Sequence, residues 1–205
     1  MYLAKTPKIA HLLYPRCIWK GLVEPKRPTL YLTFDDGPIP HLTDWVLDEL
    51  DVYEAKATFF CVGQNAEQYP HLVQSLLTRG HSIGNHTYNH LNGWKTNKKA
   101  YLENILEAEP FIKSDLFRPP YGRITAPQAF ALRKKHYKII MWDVLSGDFD
   151  ATISSETCLS QVIKNVQNGS IVVFHDSLKA EKHLRYCLPK VLKYFAEKGF
   201  CFRAL

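Results

Sequence analysis

Short apolar runs alternate with longer segments of helical periodicity along most of the chain. The apolar runs begin near residues 29, 57, 81, 115, 137, 170 and 200, which predicts about seven β/α units. Three runs, A-T-F-F-C-V, Y-K-I-I-M-W and S-I-V-V-F-H, are almost continuously apolar, as is typical of parallel strands covered on both faces. The pattern leaves two architectures, an open doubly wound sheet or a closed barrel. Both place functional sites at the carboxyl ends of strands.

Helices are predicted between these strands. Three of them are expected to stop at Gly80, Gly169 and Gly199, because glycine readily adopts the left-handed conformation that ends many helices. The predicted helices span residues 41–53, 70–79, 98–112, 127–136, 156–168 and 182–198. Since no glycine-rich phosphate-binding motif accompanies them, the pattern does not favour a nucleotide-binding fold.

The stretch 29–38, T-L-Y-L-T-F-D-D-G-P, runs from a predicted buried strand directly into two carboxylates and a turn. Asp35 and Asp36 therefore lie at the carboxyl end of that strand. Neighbouring residues on an extended chain point to opposite sides, so one carboxylate can bind a ligand while the other serves a different partner. The alternative is a purely structural turn, because Asp-Gly pairs favour turn geometry by themselves.

Histidines follow two further strands. His86 and His90 lie four residues apart in G-N-H-T-Y-N-H, and a helical turn there would aim both imidazoles at one point. Two histidines and one carboxylate form a common metal-binding set, while the alternative is a polar loop with two unrelated histidines. His175 stands at the exit of V-V-F-H-D, where a single histidine is usually structural.

An arginine and a group of acids follow two more strands. Arg118 leaves the fourth strand in F-R-P-P-Y-G, either as a buried ion-pair partner of Asp35 or as a surface charge beside a rigid turn. Asp143, Asp148 and Asp150 follow the fifth strand, either as functional groups or as a solvated loop. Coincidence is a poor explanation for strand ends that supply Asp, His, Arg, Asp and His in turn.

Composition narrows the functional classes. A chain of 205 residues that is 46% hydrophobic and 22% charged suits one globular domain with a sizeable core. The formal net charge is +6, but the basic residues are scattered without a nucleic-acid-binding motif, so no nucleic-acid partner is expected. Five cysteines without a C-x-x-C pair are expected to be reduced, buried thiols.

Residues 1–28 are predicted to form an N-terminal extension that packs on the domain formed by residues 29–205. Charges and prolines interrupt every apolar run there, so the extension resembles neither a secretory signal nor a membrane span. A cytoplasmic protein is therefore expected. The extension is also amphipathic and basic, through Lys5, Lys8, Arg16 and Lys20, and peripheral contact with a membrane surface is the alternative to packing on the domain.

Five short motifs in this order resemble the polysaccharide deacetylases of carbohydrate esterase family 4, the NodB-homology domain. The motifs are T-F-D-D-G, H-T-Y-N-H, R-P-P-Y, L-S-G-D-F and V-F-H, and the resemblance covers about residues 29–205. It implies an α/β fold that is a distorted, incompletely closed (β/α) barrel of about seven strands. The resemblance therefore favours the barrel over the open sheet.

The resemblance also implies one divalent metal ion held by three side chains. Asp36, His86 and His90 are its expected ligands, and Zn²⁺ is the expected ion, with Co²⁺ or Ni²⁺ as alternatives. Asp35, next to the first ligand, is the expected catalytic base.

Four further roles follow from the same resemblance. Arg118 is expected to orient and polarise Asp35, and the backbone N–H of Tyr121 is expected to face the developing oxyanion. His175 is the expected catalytic acid, and Asp148 is expected to support it. The chain thus has a residue for each step of amide hydrolysis.

The fourth motif departs from the D-x-x-D-W pattern of the family, because Leu145 and Phe149 replace its first and last residues. This departure changes the lining of the groove rather than the reacting groups. Phe149, Trp94 and Tyr121 are expected to contact substrate, since aromatic rings present flat faces to sugar rings.

The expected function is metal-dependent hydrolysis of an acetamide by a monomer. The expected substrate is an N-acetylhexosamine in an acetylated glycan, such as peptidoglycan or a chitin-like oligosaccharide. Three alternatives stay open: hydrolysis of a small amide, cyclic amide or formamide; O-deacetylation of an acetylated polysaccharide; and glycan binding by an inactive module. The presence of a base, metal ligands and an acid argues against the inactive module.

Overall fold

The computed structural model describes residues 3–23 and 26–205. Its centre is a curled parallel sheet with the strand order β5-β4-β3-β2-β1-β7-β6, and β8 pairs with β1. The strands are β1 (Thr29–Asp35), β2 (Thr58–Cys61), β3 (Ser82–Asn85), β4 (Leu116–Phe117), β5 (Lys138–Ile139), β6 (Val144–Leu145), β7 (Ile171–His175) and β8 (Cys201–Phe202). This architecture confirms the predicted α/β fold and its distorted, incompletely closed barrel.

Helices occupy most of the connections between strands. They are α1 (Lys8–Leu13), α2 (Leu42–Asp51), α3 (Gly63–Gln68), α4 (Pro70–Thr78), α5 (Lys98–Ala108), α6 (Ala126–Lys134), α7 (Ser155–Asn165) and α8 (Glu181–Glu197). The short helices α1 and α3 were not among the predicted elements. In residues 3–23 and 26–205, no helix combines the length and the apolar character needed to cross a membrane.

Two predicted helices are too long. The helix predicted at 156–168 ends at Asn165, because Val166 already has extended backbone angles. Gly169 therefore lies in the turn before β7 instead of ending the helix. The helix predicted at 98–112 ends at Ala108, two residues before Pro110.

The predicted fifth strand is observed as β5, and the stretch that follows it contains a further short strand, β6, which pairs with a different neighbour. β5 pairs with β4, whereas β6 pairs with β7. β5 and β6 are close in the sequence, yet they form the first and the last strand in the order of the sheet. This pairing curls the sheet into an incomplete barrel and adds a strand that the sequence pattern did not predict.

The N-terminal segment, residues 3–23, lies against the stretch that contains β5 and β6. Ile18 forms a parallel bridge with Ile140, and Lys5 forms an antiparallel bridge with Val144. The segment thus contacts both ends of the sheet path. The division of the chain at residue 28 stays a prediction.

The core surrounds β1, which is buried along its whole length. Phe34 of β1 stacks between Phe59 of β2 and Phe174 of β7, with ring centres 4.9 and 6.1 Å away. The five cysteines are free thiols and four of them are buried, as predicted. A strand packed this firmly holds the acids at its carboxyl end in fixed positions.

Candidate active site

A cavity of about 480 Å³ opens at the carboxyl ends of the strands, at the edge of the sheet where the sequence predicts a site. The predicted residues that line it are Asp35, Asp36, His86, His90, Tyr121, Phe149 and His175. Arg118 and Asp148 are fully buried and bind the side chains of two of these residues. The cavity therefore gathers groups that are far apart in the sequence.

Asp35 forms a buried ion pair with Arg118. Nη1 of Arg118 donates to Asp35 Oδ1 at 2.6 Å and to Thr33 Oγ1 at 2.7 Å. Nη2 of the same guanidinium donates to the Met141 carbonyl at 3.0 Å, and the group lies 4.1 Å from the centre of the Phe60 ring. Burial lowers the pKa of Arg118 and the charge of Asp35 raises it, while guanidinium groups stay charged in proteins. The alternative of a surface charge is therefore wrong.

Asp36, His86 and His90 place their donor atoms together. Nε2 of His90 and Nε2 of His86 lie 3.2 and 3.7 Å from Asp36 Oδ1, and the three donor atoms lie within 4.8 Å of one another. Asp36 Oδ1 is buried and, among the described residues, has no hydrogen-bond partner of good geometry. Burying such an oxygen without a partner is unfavourable, and a bound cation would remove that cost. The three residues thus fit a divalent metal ion.

The protonation of these groups also suits a metal ion. Nδ1 of His86 lies 2.8 Å from the Arg118 carbonyl, and because a carbonyl only accepts, Nδ1 carries the hydrogen and Nε2 keeps its lone pair. Burial lowers the pKa of His86 to about 4, so the imidazole is neutral at pH 7. Burial raises the pKa of Asp36, but its interactions with His90 and His175 outweigh burial and leave the pKa below the usual value.

A tight bend, and not a helical turn, brings the two histidines together. Thr87 and His90 have left-handed backbones, with φ of 64° and 56°, and such angles are uncommon for residues other than glycine. The bend starts where Asn85 Oδ1 accepts the Thr87 N–H at 2.8 Å. The two imidazoles therefore converge without the helical turn that the spacing would have required, since the side chain of Asn85 binds the backbone locally. The ring centres of His86 and His90 are 5.0 Å apart.

His175, at the end of β7, is paired with Asp148. Nδ1 of His175 lies 2.7 Å from Asp148 Oδ1, and the His175 backbone N–H donates to Asp148 Oδ2, also at 2.7 Å. Burial lowers the pKa of His175, but the charge of Asp148 and the hydrogen bond to it prevail and raise the pKa to about 9. The imidazole is therefore protonated at neutral pH, as a general acid must be.

Two of the predicted aromatic contacts lie at the cavity. Tyr121 has a left-handed backbone with φ of 60°, and its ring stands edge-on to His90 with centres 4.7 Å apart. Phe149 stands edge-on to His175 with centres 5.2 Å apart. Lys179 Nζ lies 5.8 Å from the Phe149 ring centre. Both rings can contact a molecule that reaches His175 and the three residues that fit a metal ion.

Trp94, the third predicted aromatic contact, does not line the cavity. Its indole Nε1 donates to the Ile124 carbonyl at 3.2 Å, and the Arg123 guanidinium lies 5.3 Å from its ring centre. These contacts hold the indole beside the loop that follows Tyr121. Trp94 was predicted to contact substrate because it lies in a loop after His90, and the sequence did not indicate its contacts with Ile124 and Arg123.

Several cavity residues were not predicted. An apolar wall consists of Trp142, Leu145 and Val173, and Ser177 and Lys179 line the cavity after β7. Leu145 replaces the first residue of the usual fourth motif, so this departure was a usable signal for an apolar wall. Trp142 and Val173 lie in apolar runs, where the sequence does not separate cavity residues from core residues.

Asp176, which follows His175, was also missed. Its Oδ1 accepts the Gly37 N–H at 3.1 Å, and its Oδ2 accepts the Thr43 hydroxyl at 2.6 Å. Burial raises the pKa of Asp176 to about 8, with a further contribution from the charge of Asp36. Asp176 therefore holds, through hydrogen bonds, the turn that follows Asp35 and Asp36; we call this pair of hydrogen bonds the clasp.

Two acids of the fourth-motif region lie elsewhere. Asp143 is buried and accepts from Lys5 Nζ at 2.6 Å and from Ser170 Oγ, so the interpretation of a solvated loop is wrong for this residue. Asp150 accepts from the Thr152 backbone N–H at 2.9 Å, as expected of a loop acid. Of these three acids, Asp148 is the one that binds His175, the predicted catalytic acid.

Comparisons with known sequences agree with the motif pattern. A family model described as Polysaccharide deacetylase matches residues 23–140. One peptidoglycan-N-acetylglucosamine deacetylase from Bacillus cereus is 36% identical over 183 residues, which are 85% of this chain and 66% of that protein. A second one from the same species is 34% identical over 83% of each chain. The match covers just under two thirds of the length of the first of these two relatives.

A solved structure also resembles the whole described fold. The crystal structure of a peptidoglycan N-acetylglucosamine deacetylase in complex with 4-naphthalen-1-yl-N-oxidanyl-benzamide superposes with a TM-score of 0.88. The match covers 98% of this chain and 95% of that one at 30% sequence identity. The similarity therefore includes the N-terminal segment as well as the barrel.

Proposed function

The chain belongs to the polysaccharide deacetylase family, and from this membership we propose that it removes the acetyl group from N-acetylhexosamine residues of a glycan. The proposed substrates are peptidoglycan and chitin-like oligosaccharides. Similarity to two peptidoglycan deacetylases supports the first of these substrates. The observation that supports the proposal is the cavity itself, which brings together an oriented carboxylate, three side chains that fit a metal ion and a protonated histidine.

Asp35 is the proposed base. Amide hydrolysis needs a water molecule that loses a proton as it attacks the carbonyl carbon. Arg118 holds one oxygen of the Asp35 carboxylate at 2.6 Å, which fixes the orientation of the group toward the cavity. The base thus gains its efficiency from alignment.

Asp36, His86 and His90 would hold the metal ion. When bound, a divalent ion such as Zn²⁺ would polarise the acetamide carbonyl and make an attacking water more acidic. The contribution of the protein is to supply one carboxylate and two neutral imidazoles, with Nδ1 of His86 already bound to the Arg118 carbonyl.

Tyr121 is the proposed backbone donor to the oxyanion. Its left-handed φ of 60° is an unfavourable conformation for a residue with a side chain, and such strain often occurs at functional sites. A backbone N–H aimed at the developing negative charge stabilises the transition state more than the ground state. This role requires the turn geometry and not the tyrosine hydroxyl.

His175 is the proposed acid. The departing sugar amine needs a proton, because an amide anion is too poor a leaving group. Nδ1 of His175 is bound to Asp148 at 2.7 Å, so Nε2 is the nitrogen that can deliver a proton to the amine in the cavity. Asp148 both keeps the ring oriented and keeps it charged.

The first prediction separates the two adjacent acids. Asp35→Asn should keep the metal and lower turnover by about 10² to 10⁴-fold, because a general base contributes that much. Asp36→Ala should lose both metal and turnover, since it removes one of three ligands. Asp115→Asn, a surface carboxylate, serves as the control. If both active-site variants had the same metal content, the assigned roles would be wrong.

Substrate class is tested by the product released. Wild-type protein loaded with Zn²⁺ or Co²⁺ should release acetate from peptidoglycan or from N-acetylglucosamine oligomers. Acetylated xylan and small amides or formamides are the comparison substrates, assayed for acetate or formate. Release from these alone would overturn the proposal, and no release from any substrate by the metal-loaded protein would favour an inactive module.

A further inference from the structure

The first helix, α1, turns its larger apolar side chains toward solvent. Ile9, Leu12 and Leu13 share one helical face by their spacing, and their exposed fractions are 58%, 74% and 69%. On the other side, Ala10 and Tyr14 pack against a core cluster. A helix of a globular protein normally buries its most apolar face. This arrangement therefore suits an apolar environment outside the chain.

The charge around this helix has one sign. The first 23 residues contain Lys5, Lys8, Arg16 and Lys20, and neither Asp nor Glu occurs among them. Lys5 and Lys20 lie 2.6 and 3.6 Å from the buried Asp143 carboxylate, which offsets one positive charge. Lys8 begins α1 and Arg16 follows it closely, and both are exposed. A positive excess thus borders the apolar side chains.

The position of α1 places this surface next to the cavity. Just before the helix, Thr6 Oγ1 donates to the Trp142 carbonyl at 2.8 Å. Just after it, the Tyr14 hydroxyl donates to the Ile124 carbonyl at 3.3 Å. Trp142 and Tyr121, three residues before Ile124, both line the cavity. The helix therefore lies along the outside of one cavity wall.

We propose that the α1 face, defined as Lys8, Ile9, Leu12, Leu13 and Arg16, docks on a bilayer surface that contains anionic lipids. The three aliphatic side chains enter the boundary between headgroups and acyl chains, and the two basic side chains meet the anionic headgroups. Docking in this way brings the cavity wall that contains Trp142 toward the membrane.

Other occupants fit this face less well. A glycan is recognised by hydrogen bonds and by aromatic rings that stack on sugars, and three aliphatic side chains supply neither. A stable interface between two copies of a chain buries about 800 Å² on each partner, far more than three side chains offer. Weak, reversible binding to a lipid surface needs only a few inserted side chains and a favourable charge.

The test is co-sedimentation of the full chain with lipid vesicles. Vesicles of phosphatidylcholine alone are compared with vesicles in which phosphatidylglycerol supplies negative charge. We expect binding to the anionic vesicles that weakens as salt is raised, because salt screens the attraction. Ile9→Ser/Leu12→Ser/Leu13→Ser should weaken binding by at least about tenfold. Lys8→Glu/Arg16→Glu should weaken it by about fivefold or more per charge reversed.

Matched controls alter exposed residues elsewhere. Val52→Ser/Leu77→Ser removes two exposed apolar side chains and Lys99→Glu/Lys193→Glu reverses two exposed charges, and both variants should bind as the wild type does. Circular dichroism checks that every variant is folded. Absence of binding to anionic vesicles, or equal binding by the triple-serine variant and the wild type, would overturn the proposal. So would a dimer in solution that the triple-serine variant abolishes, because the face would then belong to a second copy.

Discussion

Arg118 connects two parts of the site through different atoms. Its guanidinium donates to the Asp35 carboxylate, and its backbone carbonyl accepts from Nδ1 of His86. One buried residue therefore orients both the proposed base and one proposed metal ligand. Lysine could not replace it, because a single ammonium cannot reproduce the planar set of donors that also reaches Thr33 and Met141.

The charge of His175 results from two opposing effects. Burial disfavours the imidazolium, whereas the adjacent Asp148 carboxylate favours it and prevails, so that the pKa is about 9. The pKa of an unperturbed histidine is about 6.5. The ion pair thus contributes to the free energy of unfolding fully below pH 6.5, and the contribution is lost as the pH rises through about 9.

The second prediction follows from this balance. Since the proposed acid must be protonated, kcat/KM should fall as the pH rises above about 9. In Asp148→Asn the effect of burial is opposed only by the charges of Asp36 and Asp35, so the alkaline limb should move down by about two pH units and the rate at neutral pH should fall. Activity is measured against pH for the wild type, Asp148→Asn and His175→Ala.

Metal content measured in each variant is the control, because neither residue is a proposed ligand. Another titrating group can also cause an alkaline fall in activity. The fall is therefore assigned to His175 only if it moves to lower pH in Asp148→Asn. An alkaline limb that stays in place in Asp148→Asn, or near-normal turnover of an unactivated amide by His175→Ala, would contradict the role of His175.

At the scale of elements, strand register sets the distance between the proposed base and the proposed acid. β1 and β7 are adjacent and parallel, with Asp35 directly opposite His175. The two residues end their strands at the same level of the sheet, so both side chains reach one cavity. The sheet therefore supplies the geometry that the chemistry needs, before any loop contributes.

The turn after β1 is held by Asp176, which follows β7. A Cβ atom on Gly37 would lie 2.0 Å from Asp176 Oδ2, so the close contact requires glycine at this position. The hydrogen bonds to the Gly37 N–H and the Thr43 hydroxyl connect the ends of two neighbouring strands. This clasp fixes the peptide that carries Asp36.

The third prediction concerns the strength of this clasp. Asp176→Ala should lower the free energy of unfolding by about 2 kcal/mol, because it removes two buried hydrogen bonds, and should weaken metal binding by loosening Asp36. Asp176→Asn should stay near the wild type at pH 7. The carboxyl group has a pKa raised to about 8 and is neutral there. An amide oxygen can accept from the Gly37 N–H, and the amide NH₂ can donate to the Thr43 oxygen once that hydroxyl turns its hydrogen away from residue 176.

Urea unfolding and metal titration of both variants provide the measurement. Equal losses of stability and of metal affinity in the alanine and asparagine variants would show that Asp176 acts as a charged carboxylate. That result would contradict the prediction of a neutral hydrogen-bonded carboxyl group.

Elements with a strong local signal were predictable from the sequence. The seven predicted strand starts fall within one residue of observed strands. The signal is strongest for β1, β2 and β7, where burial on both faces leaves an almost continuous apolar run. The additional strand β6 was missed because it depends on pairing with β7, which no local pattern contains. The bend at Thr87 depends on a side-chain hydrogen bond from Asn85, and the anchoring of Trp94 depends on a carbonyl thirty residues away.

At the scale of the whole molecule, the N-terminal segment joins the two ends of the curled sheet. It bridges Ile140 near β5 and Val144 at β6, where the barrel is incompletely closed. Asp143 lies between these two positions and is the buried partner of Lys5. The segment, which is not part of the β/α pattern, therefore links the two ends of the sheet. The Asp143 carboxylate is the buried charged group at this contact.

The fourth prediction of this structure tests that attachment. Asp143 accepts from Lys5 at 2.6 Å and from Ser170, and it is buried whereas the lysine is partly exposed. Asp143→Asn removes the charge but keeps the shape, so the free energy of unfolding should fall by roughly 2 kcal/mol, the value of hydrogen bonds to charged groups. The segment 3–23 should also become accessible to limited proteolysis before the barrel does.

Asp115→Asn is the matched control for this variant, because the Asp115 carboxylate pairs with Lys138 at 2.7 Å while both side chains are more than half exposed. A surface ion pair contributes about 0 to 1 kcal/mol, so this control should change stability little and leave the cleavage pattern unaltered. The two variants are compared by urea unfolding and by the order of proteolytic cleavage. Equal stability and equal cleavage in both variants would mean that the hydrogen-bonded bridges to Ile140 and Val144 hold the N-terminal segment without the buried charge.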